Sequence, residues 1–338
     1  YVVFLGFGRA APGGELGQKS VFPANVRPGA IRGRVRSAMV SALSLADRYP
    51  DPCAVQLRAA LSAKEGVPAE NILAGNGAAE LIYAYAAYGG SAVVVAPTFS
   101  EYAAAFRAFG KGVRFARGYG LEGINLCAAD TVFVCIPNNP DGFFPAREEL
   151  FSLAERCRAA GASLFADACF YDFVQNPSFT LAELVQSGAF VLQAFTKSYA
   201  LAGVRLGYLM GEKGALSRIS RYVQPWSVSC FAQAAGIAAA GDRQYLSDLR
   251  ALVSREREFL SEGLTALGFA PRPSRANFLL FEGEEGLSAR LRERGIAVRV
   301  CDDFEGLVPQ KGKKYYRVGV RTREENQILL QALREVLQ

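Results

Sequence analysis

Short apolar runs recur through the middle of the chain at Asn71–Leu73, Ser91–Ala96, Thr131–Ile136, Ser163–Ala166, Ala189–Ala194 and Gly203–Met210. Most are apolar at consecutive rather than alternate positions, the pattern of strands covered on both faces. Between them lie longer Ala-rich stretches with helical spacing: Gly77–Tyr88, Glu101–Phe109, Pro145–Ala160 and Leu181–Ser187. Strand and helix in alternation predict an α/β fold, a mainly parallel sheet with helices on both sides.

The pattern changes towards the C-terminus. Arg243–Leu267 reads as one long amphipathic helix, followed by strands at Ala276–Phe281, Ile296–Val300 and Tyr315–Val320, a helix at Gly286–Arg294 and a closing helix. This predicts a separate, smaller α+β domain, with the boundary near Pro225–Trp226. The expected organisation is a large domain over 48–224 and a small one from 1–47 with 225–338, the first residues forming an arm. A length of 338 residues suits one large and one smaller domain.

Composition narrows the function. The formal charge of +6 is spread out, with Arg32, Arg34 and Arg36 interleaved with other residues. A nucleic-acid partner is not expected, whereas attraction of small anionic molecules fits. No apolar run is long enough to span a membrane. The seven cysteines never form a Cys-x-x-Cys pair, so reduced thiols and a cytoplasmic location are expected. The chain has no histidine. Histidine-based triads and histidine-containing metal sites are thereby excluded, no metal is expected, and proton transfer falls to Lys, Asp, Glu, Tyr or Cys.

One motif misleads. Val2–Leu5 followed by Gly6-x-Gly8-x-x-Ala11 imitates a dinucleotide loop, but Ala11-Pro12-Gly13-Gly14 breaks the helix such a loop needs. The informative residues instead stand at the ends of successive predicted strands, where open α/β sheets bind ligands. After Asn71–Leu73 comes Gly75-Asn76-Gly77-Ala78-Ala79-Glu80, small residues opening a helix whose free amides can hold an anion. Thr131–Ile136 runs into Pro137-Asn138-Asn139-Pro140-Asp141-Gly142, Ser163–Ala166 ends in Asp167, and Ala189–Ala194 delivers Phe195-Thr196-Lys197-Ser198 and then Arg205. Each has a plain alternative as a turn, a cap or a surface charge. Together they make the set that pyridoxal phosphate (PLP) requires: a lysine amine for a Schiff base, a carboxylate for the ring nitrogen, an amide for the phenolic oxygen and an arginine for the phosphate.

With these residues in place the chain resembles the fold-type-I PLP aminotransferases, and the histidinol-phosphate aminotransferase group in particular, from about Phe22 onward. The segments that carry the likeness are Gly75–Glu80, Pro97–Tyr102, Pro137–Gly142, Ala166–Phe173 and Ala194–Tyr208. Within that group it most resembles the threonine-phosphate decarboxylases of the cobalamin pathway. The stretches concerned are Arg48–Asp51, Ile72–Gly77, Pro225–Val228, Ser274–Leu280 and Tyr315–Val318. The resemblance implies a fold-type-I architecture with a seven-stranded, mainly parallel large-domain sheet. It implies catalytic Lys197 and Asp167, Phe99 stacking on the cofactor ring, and Asn139 at its phenolic oxygen. Thr196, Arg205 and the amides of Ala78 and Ala79 would hold its phosphate. Tyr49 would reach that phosphate from the other subunit of a homodimer with shared sites. Arg317 would clamp the carboxylate of a small anionic amino-acid substrate, Arg299 its distal phosphate, and Asn25 would lie beside it. Two departures stand out. Asp167-Ala168-Cys169-Phe170 replaces the usual Asp-Glu-Ala-Tyr, removing a tyrosine hydroxyl, and Pro12-Gly13-Gly14 stands where the decarboxylases carry His-Gly-Gly. The expected activity is decarboxylation of L-threonine O-3-phosphate, with histidinol-phosphate transamination as the alternative.

Overall fold

The computed structural model describes residues 20–22, 25–27, 29, 31–118 and 120–338. The Gly6–Ala11 run and Pro12-Gly13-Gly14 lie outside the described residues. In chain order, β1 (Ser20–Val21), α1 (Gly33–Ser41) and α2 (Val55–Glu65) precede the alternating core. The core runs β2 (Ile72–Gly75), α3 (Ala78–Tyr88), β3 (Ser91–Ala96), α4 (Glu101–Ala108), β4 (Val113–Arg117), β5 (Asp130–Cys135) and α5 (Arg147–Ala159). It continues through β6 (Ser163–Asp167), α6 (Leu181–Gln186), β7 (Phe190–Ala194), α7 (Phe195–Ser198) and β8 (Gly207–Met210). After α8 (Lys213–Ile219), α9 (Cys230–Ala240) and α10 (Arg243–Ala266) come β9 (Phe278–Glu284), α11 (Leu287–Glu293), β10 (Ile296–Ala297), β11 (Arg299–Val300), β12 (Lys313–Gly319) and α12 (Arg323–Leu337).

The seven core strands make one sheet in the order β2-β8-β7-β6-β5-β3-β4. Strands β3 to β7 pair in parallel, and β8 lies antiparallel between β7 and β2. Strands β5 and β7 are buried along their whole lengths, which is why their sequences are apolar without alternation. Because Cys135 of β5 pairs with Asp167 of β6, and Asp167 with Leu192 of β7, the loops leaving these strands emerge side by side.

Three expectations need correction. Strand β4 was not among the expected runs: it is an edge strand with two arginines and only partial burial, so its hydrophobic signal is weak. The expected strand Gly203–Met210 starts only at Gly207, because a 3₁₀ turn at Ala202–Val204 and a left-handed Arg205 come first. The expected strand Ile296–Val300 is two short strands with different partners, β10 pairing with β1 and β11 with β12. A three-stranded antiparallel sheet, β11-β12-β9, carries the C-terminal residues of interest. Helix α10 buries Tyr245, Leu249, Val253, Glu256, Leu260 and Leu264 at helical spacing, and α12 packs against it.

Candidate active site

The carboxyl end of β6 sets Asp167 in the interior, 5% exposed. Its Oδ2 accepts a 2.6 Å hydrogen bond from Tyr102 Oη and its Oδ1 a 2.9 Å bond from the amide of Cys169. Burial, and then the carboxylate itself, push the Tyr102 phenol well above its usual range. The tyrosine therefore stays a donor, and Asp167 is held as an acceptor rather than spent on capping a helix. Tyr102 stacks on Phe133 at 5.0 Å and meets Phe99 edge-on at 5.6 Å, so the first turn of α4 and the loop before it bring two rings near the carboxylate. Tyr102 received no role from the sequence; it lies in the first turn of α4, three residues after Phe99 in the loop before that helix.

Lys197 sits on α7, one short turn beyond β7. Burial foremost, and then the guanidinium of Arg317, hold its amine below the usual lysine range, with Arg205 adding to the effect. The Phe170 ring lies 5.7 Å from Lys197 Nζ and packs edge-on against Phe278. The missing tyrosine hydroxyl is thus replaced by an apolar wall. Arg317, 7% exposed, donates to Asn139 Oδ1 and lies over the Phe278 ring. Burial, with Arg299 adding to it, lowers its pKa to about 10.

Arg299 and Arg317 are directly opposite one another on β11 and β12, so both side chains leave the same face of the small sheet. The sequence placed them on two strands; the register makes them neighbours. Arg299 also pairs with Asp303 at 2.5 Å. A cavity of about 140 Å³ lies between Phe99, Thr98 and the Asp303–Glu305 loop.

Helix α3 has Gly77 at its N-cap and so no side-chain cap, which leaves the amides of Ala78 and Ala79 to an outside acceptor. The turn is built around Arg205. A Cβ on Gly77, whose φ is +82°, would stand 2.6 Å from the Arg205 guanidinium, and one on Gly207 would stand 2.7 Å from the amide nitrogen of Ala78. Arg205 holds a left-handed φ of 58°, a strained conformation for a side-chain-bearing residue and one that collects at functional sites. Thr196, half-buried, precedes Lys197 on α7. Glu80 ties the turn to the Pro225–Val228 segment, accepting from the Asn76 amide at 2.6 Å and from Ser227 Oγ at 3.0 Å.

Asn25 is 3% exposed; its carbonyl accepts from Asn277 Nδ2 at 3.2 Å, while its own Oδ1 has no hydrogen-bond partner among the described residues. Tyr49 is not gathered with the others. It is 79% exposed and packs on Trp226 at 4.8 Å.

These residues fit pyridoxal phosphate. The uncapped α3 amides beside Arg205 suit a phosphate, the buried Asp167 suits a protonated ring nitrogen, and the desolvated Lys197 amine suits an aldehyde carbon. The orphaned Asn25 Oδ1 marks room for a further polar partner. Likeness to known proteins gives the family. The family model for aminotransferase class I and II matches residues 23–333. A threonine-phosphate decarboxylase of Salmonella typhimurium is 34% identical over 94% of this chain and 90% of that protein. A histidinol-phosphate aminotransferase of Desulfitobacterium hafniense is 33% identical over 90% and 88%. The crystal structure of the histidinol-phosphate aminotransferase of Clostridium acetobutylicum superposes with a TM-score of 0.85 at 24% identity, covering 94% of this chain and 98% of that one, which shows the shared fold. Sequence, fold and site together make this chain a member of the aminotransferase class I and II family of PLP-dependent enzymes.

Proposed function

We propose that the chain decarboxylates a phosphorylated amino acid, and that L-threonine O-3-phosphate is the substrate it fits best. The observation that carries this reading is the cross-strand pair Arg299–Arg317. Directly opposite positions bring two guanidinium groups to one face of the sheet, and a substrate bearing a carboxylate and a phosphate offers an anion to each. The name of the Salmonella typhimurium relative supports the same substrate.

The residues divide the work. Ala78, Ala79, Thr196 and Arg205 hold the cofactor phosphate, Phe99 covers its ring, Asn139 bonds its phenolic oxygen and Lys197 anchors it. Asp167 keeps a proton on the ring nitrogen, and Tyr102 keeps Asp167 aimed there. When bound, pyridoxal phosphate supplies an electron sink for the pair left as a bond to the substrate Cα breaks. Arg317 orients the substrate carboxylate, Arg299 the distal phosphate, and Asn25 lies beside the substrate. Phe170 gives the Lys197 side an apolar wall, which penalises a carboxylate but not the neutral carbon dioxide it becomes. Lys197 Nζ, held below its usual pKa, then delivers a proton to Cα in place of the lost carboxyl.

Tyr49 joins this scheme as part of a homodimer, reaching the partner's cofactor phosphate. Exposed apolar side chains at Val40, Leu43, Leu45 and Trp226 give that face reason to be covered. The cytoplasm is the proposed compartment, in keeping with seven cysteines free of disulfides. No helix among the described residues is long and apolar enough to cross a membrane.

A histidinol-phosphate transaminase is the second reading, favoured by relatives such as that of Desulfitobacterium hafniense. Incubation with threonine phosphate separates the two. Carbon dioxide release without a keto-acid acceptor is the expected result; keto-acid exchange with 2-oxoglutarate and no carbon dioxide would establish the second reading instead.

A further inference from the structure

Beneath the turn that carries Lys197 lies a buried ionic cluster that the reaction above does not use. Lys64 and Glu65 of α2 and Asp172, in the 3₁₀ turn after β6, have side chains only 8%, 8% and 5% exposed. Lys64 Nζ contacts Glu65, stands 3.7 Å from Asp172 Oδ1 and donates to Tyr208 Oη at 3.2 Å, while Tyr208 Oη donates to Glu65 at 2.6 Å. Burial alone would push the Lys64 amine down, but Asp172 and then Glu65 outweigh it and raise it well above its usual value. Two carboxylates thus share one ammonium in a dry interior. Apolar residues of equal volume are often at least as stable as such a cluster, so stability is a weak reason for its presence.

The cluster meets the active site at Ser198. Its Oγ, 0% exposed, donates to Asp172 Oδ2 at 2.7 Å. The same stretch of backbone is caught twice more: the Arg27 amide donates to the Lys197 carbonyl at 3.0 Å, and Tyr245 Oη donates to the Ser198 carbonyl. Asp172 is itself anchored, its carbonyl accepting from Arg250 Nε at 3.0 Å. Its carboxylate is faced by Lys64 and Glu65 from α2, Tyr199 after α7, Tyr208 from β8 and Tyr245 from α10. Lys197, on the other side of the turn, is faced by Arg317, Cys169, Asp167 and Arg205.

We propose that Asp172 is a positioning residue. Through Ser198 Oγ it tethers the Lys197 peptide so that the amine is kept between Asp167 and the two guanidinium groups, with Lys64 as the counter-charge of the tether. This rests on the reading of Lys197 as the residue that carries the cofactor.

The test follows the pH midpoint at which Lys197 Nζ gains its proton. It is read from the visible band of the loaded full-length enzyme and, before loading, from competitive acetylation of Lys197. Borohydride reduction of the wild type must first fix pyridoxal phosphate on Lys197; label on another residue would remove the functional reading itself, whatever Asp172 does. With that secured, Ser198→Ala and Asp172→Asn are each expected to raise the midpoint by about half a unit or more, that of the free amine moving towards an ordinary lysine. The freed turn lets the amine reach water and leave Arg317 and Arg205. Asp172→Asn leaves one carboxylate facing one ammonium, so its Tm is expected to hold. Tyr208→Phe breaks the cluster away from Ser198 and is expected to lower Tm without moving the midpoint. The proposal is overturned if Tyr208→Phe moves the midpoint as far as the other two, or if neither of those moves it. A fall in Asp172→Asn with no change in Ser198→Ala would make Asp172 a remote charge instead of a tether, and overturns it equally. Should Asp172→Asn fail to fold, Ser198→Ala, which loses a single oxygen, decides alone.

Discussion

Two donors already occupy the Asp167 carboxylate, Tyr102 Oη and the Cys169 amide, and both bonds would survive at the oxygen of an amide only in part. Asp167→Asn also loses the charge that keeps a pyridine nitrogen protonated. Turnover is expected to fall by roughly two orders of magnitude or more, the scale of a lost acid–base partner, with the fold retained. Steady-state kinetics check this, and turnover within about tenfold of wild type would leave Asp167 a structural residue. Asp141, in the loop after β5, shows the opposite economy. Burial raises its pKa from 3.8 to about 6, although its Oδ1 accepts from Asn138 Nδ2 at 2.9 Å and from the Phe143 amide at 3.1 Å. A carboxyl raised on folding contributes stability below its unfolded pKa and loses it as pH rises through the folded one. The loss totals about 3 kcal/mol from well below pH 4 to well above pH 6, of which about 2 kcal/mol falls between those two values. Asp141→Asn keeps an oxygen for both bonds and removes the titration. Urea unfolding at about pH 4 and pH 7 is expected to show the variant gaining on wild type as pH rises; a constant difference would mean that this carboxyl does not titrate there.

The proposed phosphate seat belongs to the scale of elements. Strand β8 can lie against the N-terminus of α3 only because Gly207 has no side chain: a Cβ there would meet the Ala78 nitrogen at 2.7 Å and the Gly77 carbonyl carbon at 2.9 Å, both backbone atoms that cannot swing aside. Gly207→Ala is expected to weaken pyridoxal phosphate binding by more than about tenfold, the loss of one charge-assisted contact. Gly203→Ala, which meets nothing within 4 Å, is expected to change it little. Titration of the cofactor-free protein compares them, and equal affinities would separate the β8–α3 contact from phosphate binding. The same scale shows which elements the sequence concealed. Strand β4 is short, at an edge and half-exposed. Helix α9, Cys-Phe-Ala-Gln-Ala-Ala-Gly-Ile-Ala-Ala-Ala, has small residues almost all round because it presses against α1 and α2; a Cβ on Gly236 would come 2.6 Å from both Leu57 and Leu206. Close packing on several sides erases the periodicity by which a helix is read.

For the molecule as a whole, Arg317 of the small sheet reaches Asn139 in the loop after β5 of the large one, and the proposed substrate site lies at that join. Arg299→Ala is expected to penalise only phosphorylated substrates, by about 2–5 kcal/mol if the charge pair is desolvated. Arg317→Ala is expected to penalise every α-amino acid. The comparison of kcat/KM for threonine phosphate, histidinol phosphate and their dephosphorylated forms tests both. Equal losses for phosphorylated and plain substrates in Arg299→Ala would remove the case for a distal phosphate.

The alternation of strands and helices, apart from β4 and α9, and the placing of Asn139, Asp167, Lys197 and Arg205 beside the ends of β5, β6, β7 and β8 were legible in the sequence. Each depends on local signals: runs of apolar residues, turn-forming residues and a polar residue where a run stops. What the sequence could not determine depends on register and on approach between distant segments. That Arg299 faces Arg317 follows from β11–β12 pairing, and a one-residue slip would have put them on opposite faces. Tyr102 meets Asp167 only because the parallel pairing of the sheet brings β6 to the start of α4, 65 residues away in the chain. The contact of Ser198 with Asp172, and of Asp172 with Lys64, joins three elements that no spacing relates. Periodicity records which face of an element is buried, and the partner it is buried against is decided only when the chain closes on itself.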